Sequence, residues 1–451
     1  MIKVVKNKKI IMLGTISFLL IGLLLSFSFS SKYNSINKET KKLENIQNKN
    51  LIGVYINGEI SNAFPNTSNY IPRVECSNDI KGYITWEENK WILKTEETDS
   101  ATVRCNVFFT SGTQNLKDAI MTNNNSIIIN DASTLTNQPG KAISGENEKF
   151  LVKTPDDYDS NSYIFRGNID NNYVVFANKC WKIVRITGNN AIKLILQNNN
   201  GTDCSVYNSA GQSAFNNAPG VFNTATGVGF MYGEPNPSGA NDNEKYLNAQ
   251  ANTYDSTILT FLKGWYDNVF TASDKSKLAD VIWCNDKSLY YGVGYGTTFI
   301  AFGGQNRIYA ENNLTNVVPT LICPNVGSDN KLSKFTASDT TNGNGALNGY
   351  KIGLLTADEA AYAGGCFELN NTNYYLHSNY TYWLLTPINY RTDIYKAVVF
   401  GVWGDGFIGV LEANAQNVLW RPSIALNSTV TYYLNDTSAT PGTVTNPYIV
   451  I

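Results

Sequence analysis

The chain has 451 residues, enough for two or three domains. Charged residues make up 16% and the formal net charge is −2, which excludes both a basic nucleic-acid surface and an acidic tail. Tyr (27), Phe (20) and Trp (8) are abundant among many Asn, Ser, Thr and Gly, the composition of β-rich domains joined by polar loops.

The first predicted element is a membrane span over residues 10–30. The run from Ile10 to Phe29 carries no charge, and a helix of that length covers about 30 Å, the thickness of a bilayer core. Lys3, Lys6, Lys8 and Lys9 precede it. Residues 1–9 are therefore expected to be a cytoplasmic tail, with the rest of the chain extracytoplasmic on a single-pass anchor in the cell membrane. A cleaved signal peptide is the alternative. Against it, the apolar run is long and Ser26-Phe27-Ser28 is a poor cleavage site. Residues 31–50 are polar and Lys-rich and read as a stalk.

Residues 51–110 predict a small all-β domain. Val103, Cys105 and Val107 alternate with Thr102, Arg104 and Asn106, the period of a half-buried strand. Trp86 and Trp91 lie between Cys76 and Cys105. Export permits disulfides, and the pairing taken is Cys76–Cys105, Cys180–Cys204 and Cys284–Cys323 with Cys366 free; a single sequence leaves other pairings open. No cysteines are spaced CxxC and the only histidine is His377, which argues against a zinc site.

Residues 111–160 read as a polar linker with one helical stretch, Leu116–Met121. An α+β domain is expected over 161–451. Tyr163–Phe165, Tyr173–Phe176, Trp181–Ile186 and Ala191–Leu196 are strand-like, with Gly188-Asn189-Asn190 as a hairpin turn. Residues 197–252 form a long insertion without periodicity. Ile258, Leu262, Trp265 and Val269 then give one face of a helix capped by Asp255. Thr271 and Asp274 open a second helix, expected to bury Leu278, Val281 and Ile282. Thr356 and Glu359 form a capping box, and Gly364-Gly365 ends that helix. Strands follow at Tyr382–Leu385, Ala397–Val402, Phe407–Leu411, Val418–Leu419 and Ile424–Leu426, with Asp405-Gly406 as a turn.

Five stretches in this order carry a resemblance: YIFRGNIDNNYVVFANKCWKIVRITGNNAIKLIL (163–196), YDSTILTFLKGWYDNVF (254–270), IGLLTADEAAYAGG (352–365), YWLLTP (382–387) and WRPSIALN (420–427). Together they resemble an uncharacterised family of exported bacterial domains with a C-type-lectin-like fold, that of formylglycine-generating enzymes. In this chain Trp181-Lys182-Ile183 stands where the family opens with Trp-Arg. The resemblance implies a C-type-lectin-like domain behind the small disulfide-braced one, and an exported location. It implies no chemistry.

Formylglycine generation needs reactive cysteines near the end of the domain, and none follows Cys366. Glu234-Pro235-Asn236 echoes a lectin calcium motif but lies in the insertion, and Trp403-Gly404-Asp405 has glycine at the ligand position. No metal or cofactor is expected. No Ser/His/Asp arrangement and no pair of catalytic carboxylates stands out, so the protein is not expected to be an enzyme. In folds of this kind the late loops form the ligand face. That places Tyr390, Arg391, Trp403, Asp405 and Asn414 as candidate contacts for a glycan or surface-protein ligand. The competing reading puts Trp403 and Trp420 in the core and gives Arg421 a structural role. An exported enzyme acting on cell-wall or glycan material is the alternative function.

Overall fold

The computed structural model describes residues 10–13 and 51–451, apart from 57, 68–69, 78–81, 88–89, 97–103, 112–114, 144, 146, 310–317 and 437–438. It is mixed α+β, mostly sheet, with six α-helices among the described residues. The chain divides into two compact units. Of the described residues, the smaller holds those within 10–13, 51–116, 431–439 and 448–451; the larger holds those within 117–430 and 440–447.

In the smaller unit β1 (Ile10–Leu13), β6 (Lys90–Glu96) and β5 (Gly82–Glu87) form one antiparallel sheet. A second sheet has the order β3 (Glu59–Ser61), β2 (Leu51–Ile56), β7 (Arg104–Ser111), β4 (Tyr70–Cys76). Cys105 and Val107 are buried while Arg104 and Asn106 are exposed, the alternation the sequence predicts. Ile52, Val54, Ile84, Trp91, Leu93 and Phe109 complete the core. Trp86 meets the Trp91 ring edge-on at 5.1 Å. Cys76 faces Cys105 across β4 and β7 and is bonded to it. A bridge spanning 29 residues stabilises by about 3 kcal/mol.

Of the expected membrane span, only Ile10–Leu13 is described, and it is a strand on the edge of β6 rather than the start of a helix. An unpaired strand edge offers a row of backbone donors and acceptors that an extended apolar segment satisfies. Residues 14–30, the tail at 1–9 and the stalk at 31–50 lie outside the described residues. Among the described residues no helix is long and apolar enough to cross a membrane.

In the larger unit, one sheet runs β8 (Ile128–Ile129), β9 (Lys149–Thr154), β10 (Ser162–Gly167), β12 (Lys179–Ile186), β13 (Ile192–Asn198) and β25 (Ser423–Leu426). β11 (Tyr173–Phe176) pairs the first half of β12. The expected linker at 111–160 is thus a correction. Its helix is α1 (Leu116–Asn123), and Leu151 and Val152 of β9 are fully buried beside β10. The apolar run Phe150-Leu151-Val152 is too short, and lacks the alternation, to stand out as a strand from the polar sequence around it. The Gly188–Asn190 turn is present, with Asn190 in the left-handed region at φ 66°.

The second sheet is built on β21 (Tyr382–Arg391). β22 (Lys396–Val402) pairs its whole length and β23 (Ile408–Glu412) pairs β22. The start of β21 pairs β24 (Leu419–Trp420), which pairs β14 (Gly211–Gln212). The end of β21 pairs β19 (Ile300–Phe302), which pairs β18 (Leu289–Tyr291). Two small ladders, β15 (Met231–Tyr232) with β16 (Tyr254–Asp255) and β17 (Trp283–Cys284) with β20 (Lys334–Phe335), tie in the loops. The remaining strands, β26 (Tyr432–Tyr433) and β27 (Tyr448–Val450), pair within the smaller unit.

The expected insertion at 197–252 contains α2 (Asp242–Ala249), capped by Asn241. α3 (Thr257–Val269) is capped by Ser256 rather than Asp255, because Asp255 instead pairs with Lys263 at 2.6 Å. Its buried face is Ile258, Leu259, Leu262 and Tyr266. α4 (Ala272–Lys277) carries the Thr271/Asp274 capping box but stops before Leu278, so Leu278, Val281 and Ile282 are buried from extended chain. α5 spans Gly303–Ile308, and α6 (Ala357–Ala363) has the predicted Thr356/Glu359 box and a Gly364 stop at φ 127°. Cys180–Cys204 and Cys284–Cys323 are bonded, and Cys366 is free and buried.

Candidate functional site

The late-loop residues divide between two ends of one hairpin pair. Tyr390 and Arg391 close β21 opposite Ala397 and Lys396. Trp403 and Asp405 lie in the turn at the far end of β22. The separation is about 20 Å at ~3.3 Å per residue. Asn414 follows β23, whose Glu412 faces Val398, so it returns to the Arg391 end. One face with all five residues does not exist. Tyr390 is also wholly buried, its side chain pointing away from solvent as its neighbours in the strand alternate. Arg391 is exposed but already forked onto Asp393, with Nε–Oδ1 at 3.0 Å and Nη2–Oδ2 at 2.5 Å. Asn414 is half-buried. Trp403 is 37% exposed and stacks on Phe407 at 5.5 Å, whereas Trp420 belongs to the core. Asp405 is exposed, and Gly406 beside it has φ 83°, as the turn requires. His377 holds this turn through Nε2 at 2.9 Å from the Gly404 carbonyl.

The Arg391 end gains a feature absent from the sequence reading. Ile300 pairs Tyr390, so Phe299 arrives next to Arg391. Leu289, Tyr290 and Tyr291 of β18 are all exposed, as are Val293 and Phe299. Tyr291 and Phe299 lie 5.7 Å apart with tilted rings. The segment YYGVGYGTTF (290–299) explains the exposure. Gly292, Gly294 and Gly296 all adopt positive φ, 85°, 78° and 83°, a backbone that coils in ways closed to most side chains. Gly294 packs on the Tyr246 ring, and a Cβ there would approach it to 2.1 Å. Tyr295 donates to Asp242 at 2.5 Å and lies under Lys245. The loop is therefore pinned at Gly294 and Tyr295 while Tyr290, Tyr291 and Phe299 face water. The signal in the sequence was the regular alternation of glycine with large residues.

The densest chemistry lies elsewhere, buried at the start of α6. Glu359 accepts from Arg185 at 2.9 Å, from Lys193 at 2.6 and 2.9 Å and from the Thr356 amide at 3.0 Å. Asp156 accepts from Arg185 at 2.7 Å and from the amides of Gly188, Tyr158 and Asp159. Arg307 is gripped by Asp358 through Nε and Nη2 and by Asp286 through Nη1. Burial alone would raise the Glu359 carboxyl, but Lys193 and Arg185 outweigh it and hold it below the usual range. Burial lowers Lys193 to about 8 despite Glu359. Asp358 and Glu359 line a narrow cleft with Arg185, Lys193 and Arg307, but their oxygens are committed to these partners. Such a network fixes the packing of α6 against β12, β13 and α5; it offers no free nucleophile or base.

Other buried cations rest on neutral oxygens. Arg166 donates to the carbonyls of Ala361, Tyr362, Asn137, Gln138 and Lys141, and burial lowers it to about 10. Lys287 donates to the Met231 and Gln250 carbonyls and to Asn252 Oδ1, and burial lowers it to about 7. Arg421 bonds the carbonyls of Leu196 and Leu376 and lies between the rings of Tyr207 and Tyr382. These are cross-links between loops and sheets. The Cys366 thiol is buried, and burial pushes it above its usual range, the reverse of what a nucleophile needs.

No three His, Cys, Asp or Glu side chains among the described residues are placed to hold a metal ion. Comparison with protein-family models, with curated proteins and with solved structures finds no match to this chain.

Proposed function

We propose that the protein is an extracytoplasmic, adhesin-like binding protein that recognises a glycan or surface-protein ligand without catalysis. The observation that carries this reading is the exposed pair of rings Tyr291 and Phe299, in contact at 5.7 Å on the β18–β19 hairpin whose β19 pairs the end of β21 near Arg391. Aromatic rings held in place contribute large contact area at low entropic cost, and with Arg they dominate binding energy at interfaces. The five-part resemblance to exported C-type-lectin-like domains supports the same reading.

The charge-free run Ile10–Phe29 and its flanking lysines support attachment to the cell membrane through residues 10–30. A span beginning at Ile10 and the pairing of Ile10–Leu13 with β6 exclude each other. Protease treatment of intact cells distinguishes them: a membrane-bound stub supports the anchor, and release of the complete chain with Ile10 protected supports the strand.

The test of function is binding of the full chain to arrays of glycans and of cell-surface proteins. The double variant Tyr291→Ala/Phe299→Ala is expected to lose binding to whichever ligand scores, with melting unchanged, and EDTA is expected to have no effect. Retained binding by the double variant, or ligand turnover, contradicts the proposal.

A further inference from the structure

The sequence holds five Asn-Gly pairs, beginning at Asn57, Asn200, Asn342, Asn344 and Asn348. Such a pair permits cyclisation. The backbone nitrogen of the glycine attacks Cγ of the asparagine side chain, and a following residue without Cβ leaves that approach uncrowded. The attack requires an N–H that no acceptor holds and a carboxamide free to swing. The fold grants these freedoms unequally. Asn57 lies outside the described residues.

The three pairs between Asn342 and Gly349 are held. The Gly345 amide donates to Thr336 Oγ1 at 2.8 Å. The Asn344 carboxamide is fixed at both atoms, Nδ2 on the Lys331 carbonyl at 3.2 Å and Oδ1 on the Ala346 amide at 2.9 Å. The Gly349 amide donates to the Ala337 carbonyl at 2.8 Å. Asn342 donates to the Asp339 carboxylate through Nδ2 at 2.7 Å and through its backbone amide at 3.0 Å. Gly343 is buried against Thr336, where a Cβ would come within 2.3 Å.

Asn200-Gly201 follows the end of β13, inside the ring closed by Cys180–Cys204. Its surroundings are fixed. The Asn200 amide donates to Asn198 Oδ1 at 2.9 Å, the Asn199 amide to the Asn208 carbonyl at 3.0 Å, and the Gly201 carbonyl accepts from Cys180 at 3.0 Å. Among the described residues, however, neither the Asn200 carboxamide nor the Gly201 N–H has a hydrogen-bond partner. Asn200 is exposed, and nothing lies within 4 Å of where a Gly201 Cβ would stand.

We propose that Asn200 is a site of spontaneous covalent modification, converting through a cyclic imide to aspartate and isoaspartate while the pairs at Asn342, Asn344 and Asn348 stay intact in the folded chain. The bond from Gly201 N to Asn200 Cγ forms and the Cγ–Nδ2 bond breaks. The side-chain nitrogen leaves as ammonia with the proton that the Gly201 amide loses. Solvent water then adds to one of the two imide carbonyls. Opening at Cγ gives aspartate; opening at the main-chain carbonyl gives isoaspartate, whose backbone runs through the former side chain. Either product adds a carboxylate to a turn whose Asn199 carbonyl accepts from the Lys179 ammonium at 2.5 Å and whose Asn199 side chain accepts from Trp265 Nε1 at 3.0 Å. Isoaspartate also lengthens the chain just before the carbonyl that holds the Cys180 amide.

The test is peptide mapping by mass spectrometry of the full chain after incubation in mildly alkaline buffer, once folded and once unfolded in urea. In the folded chain Asn200 is expected to convert at close to its unfolded rate. Asn344 and Asn348 are expected to be slowed by about tenfold or more, the factor that breaking the hydrogen bond on the glycine amide imposes. Gly201→Ala keeps the fold, since its Cβ meets open space and its φ is not in the left-handed region, and it is expected to slow conversion at Asn200 severalfold. Equal rates at Asn200, Asn344 and Asn348 in the folded chain overturn the inference. So does an Asn200 that is as protected on folding as the others. Conversion at an unchanged rate in Gly201→Ala overturns the cyclic route.

Discussion

The cluster around Glu359 and the hairpin around Tyr291 are opposites. The first gathers Asp156, Arg185, Lys193, Asp286, Arg307, Asp358 and Glu359 in a buried volume where each charge meets its counter-charge. The second is three exposed rings on a glycine-coiled loop with no ion pair of their own. What distinguishes the two regions is satisfaction: in the cluster the lone pairs are used, and at the hairpin large apolar side chains face water.

The comparison breaks first at Glu359. Glu359→Gln leaves Lys193 and Arg185 buried without their shared carboxylate. The expected loss is about 3–5 kcal/mol, the usual consequence of stranding a buried charge. Urea unfolding of the variant checks it; a loss under 1 kcal/mol, read with the same slope, would show the network to be dispensable (about the value of an exposed pair).

Two buried lysines sharpen it. Lys193 has Glu359, whereas Lys287 has three neutral oxygens, and burial leaves them at about 8 and about 7. Both lie below the unfolded value of about 10.4, so folding releases protons and the charged form opposes the native state. Stability is then expected to rise with pH, from about 7 for Lys287 and from about 8 for Lys193 up to about 10, and to level off below about 7. Lys287→Met is expected to reduce that slope, measured as denaturation midpoints at successive pH values. An unchanged slope would mean that Lys287 stays protonated on its three acceptors.

The exposed pair Arg391–Asp393 gives the smallest stability effect. Asp393→Asn is expected to leave thermal melting nearly unchanged, since exposed ion pairs contribute little. Freed of its partner, Arg391 becomes available to a ligand, so binding is expected to be equal or tighter.

Local signals carried much of the fold. The capping boxes at Thr271 and Thr356, the turns at Gly188 and Asp405 and the strands from Tyr163 to Leu426 follow from short-range rules that the chain obeys. So does the neighbour-to-neighbour pairing of Cys76–Cys105, Cys180–Cys204 and Cys284–Cys323. What the sequence hid was register and distance. β9 joins the main sheet through partners at Ser162–Gly167, and its own six residues scarcely alternate. The late loops look like one face in sequence, but the antiparallel pairing of β21 with β22 sends Arg391 and Trp403 to opposite ends. Likewise Asp156 and Glu359 lie 29 and 174 residues from Arg185 and are brought together only by the tertiary fold.

The most direct test of the contrast pairs binding with melting in one experiment on Tyr291→Ala/Phe299→Ala. The ligand is whichever array member the wild-type chain retains. The account predicts a melting temperature within about 2 °C of wild type, since exposed substitutions move stability by no more than ~0.5 kcal/mol. It also predicts binding weakened by at least tenfold, the loss of an interface anchor worth over ~1 kcal/mol. Undiminished binding, or a melting temperature lowered by as much as in Glu359→Gln, would contradict it.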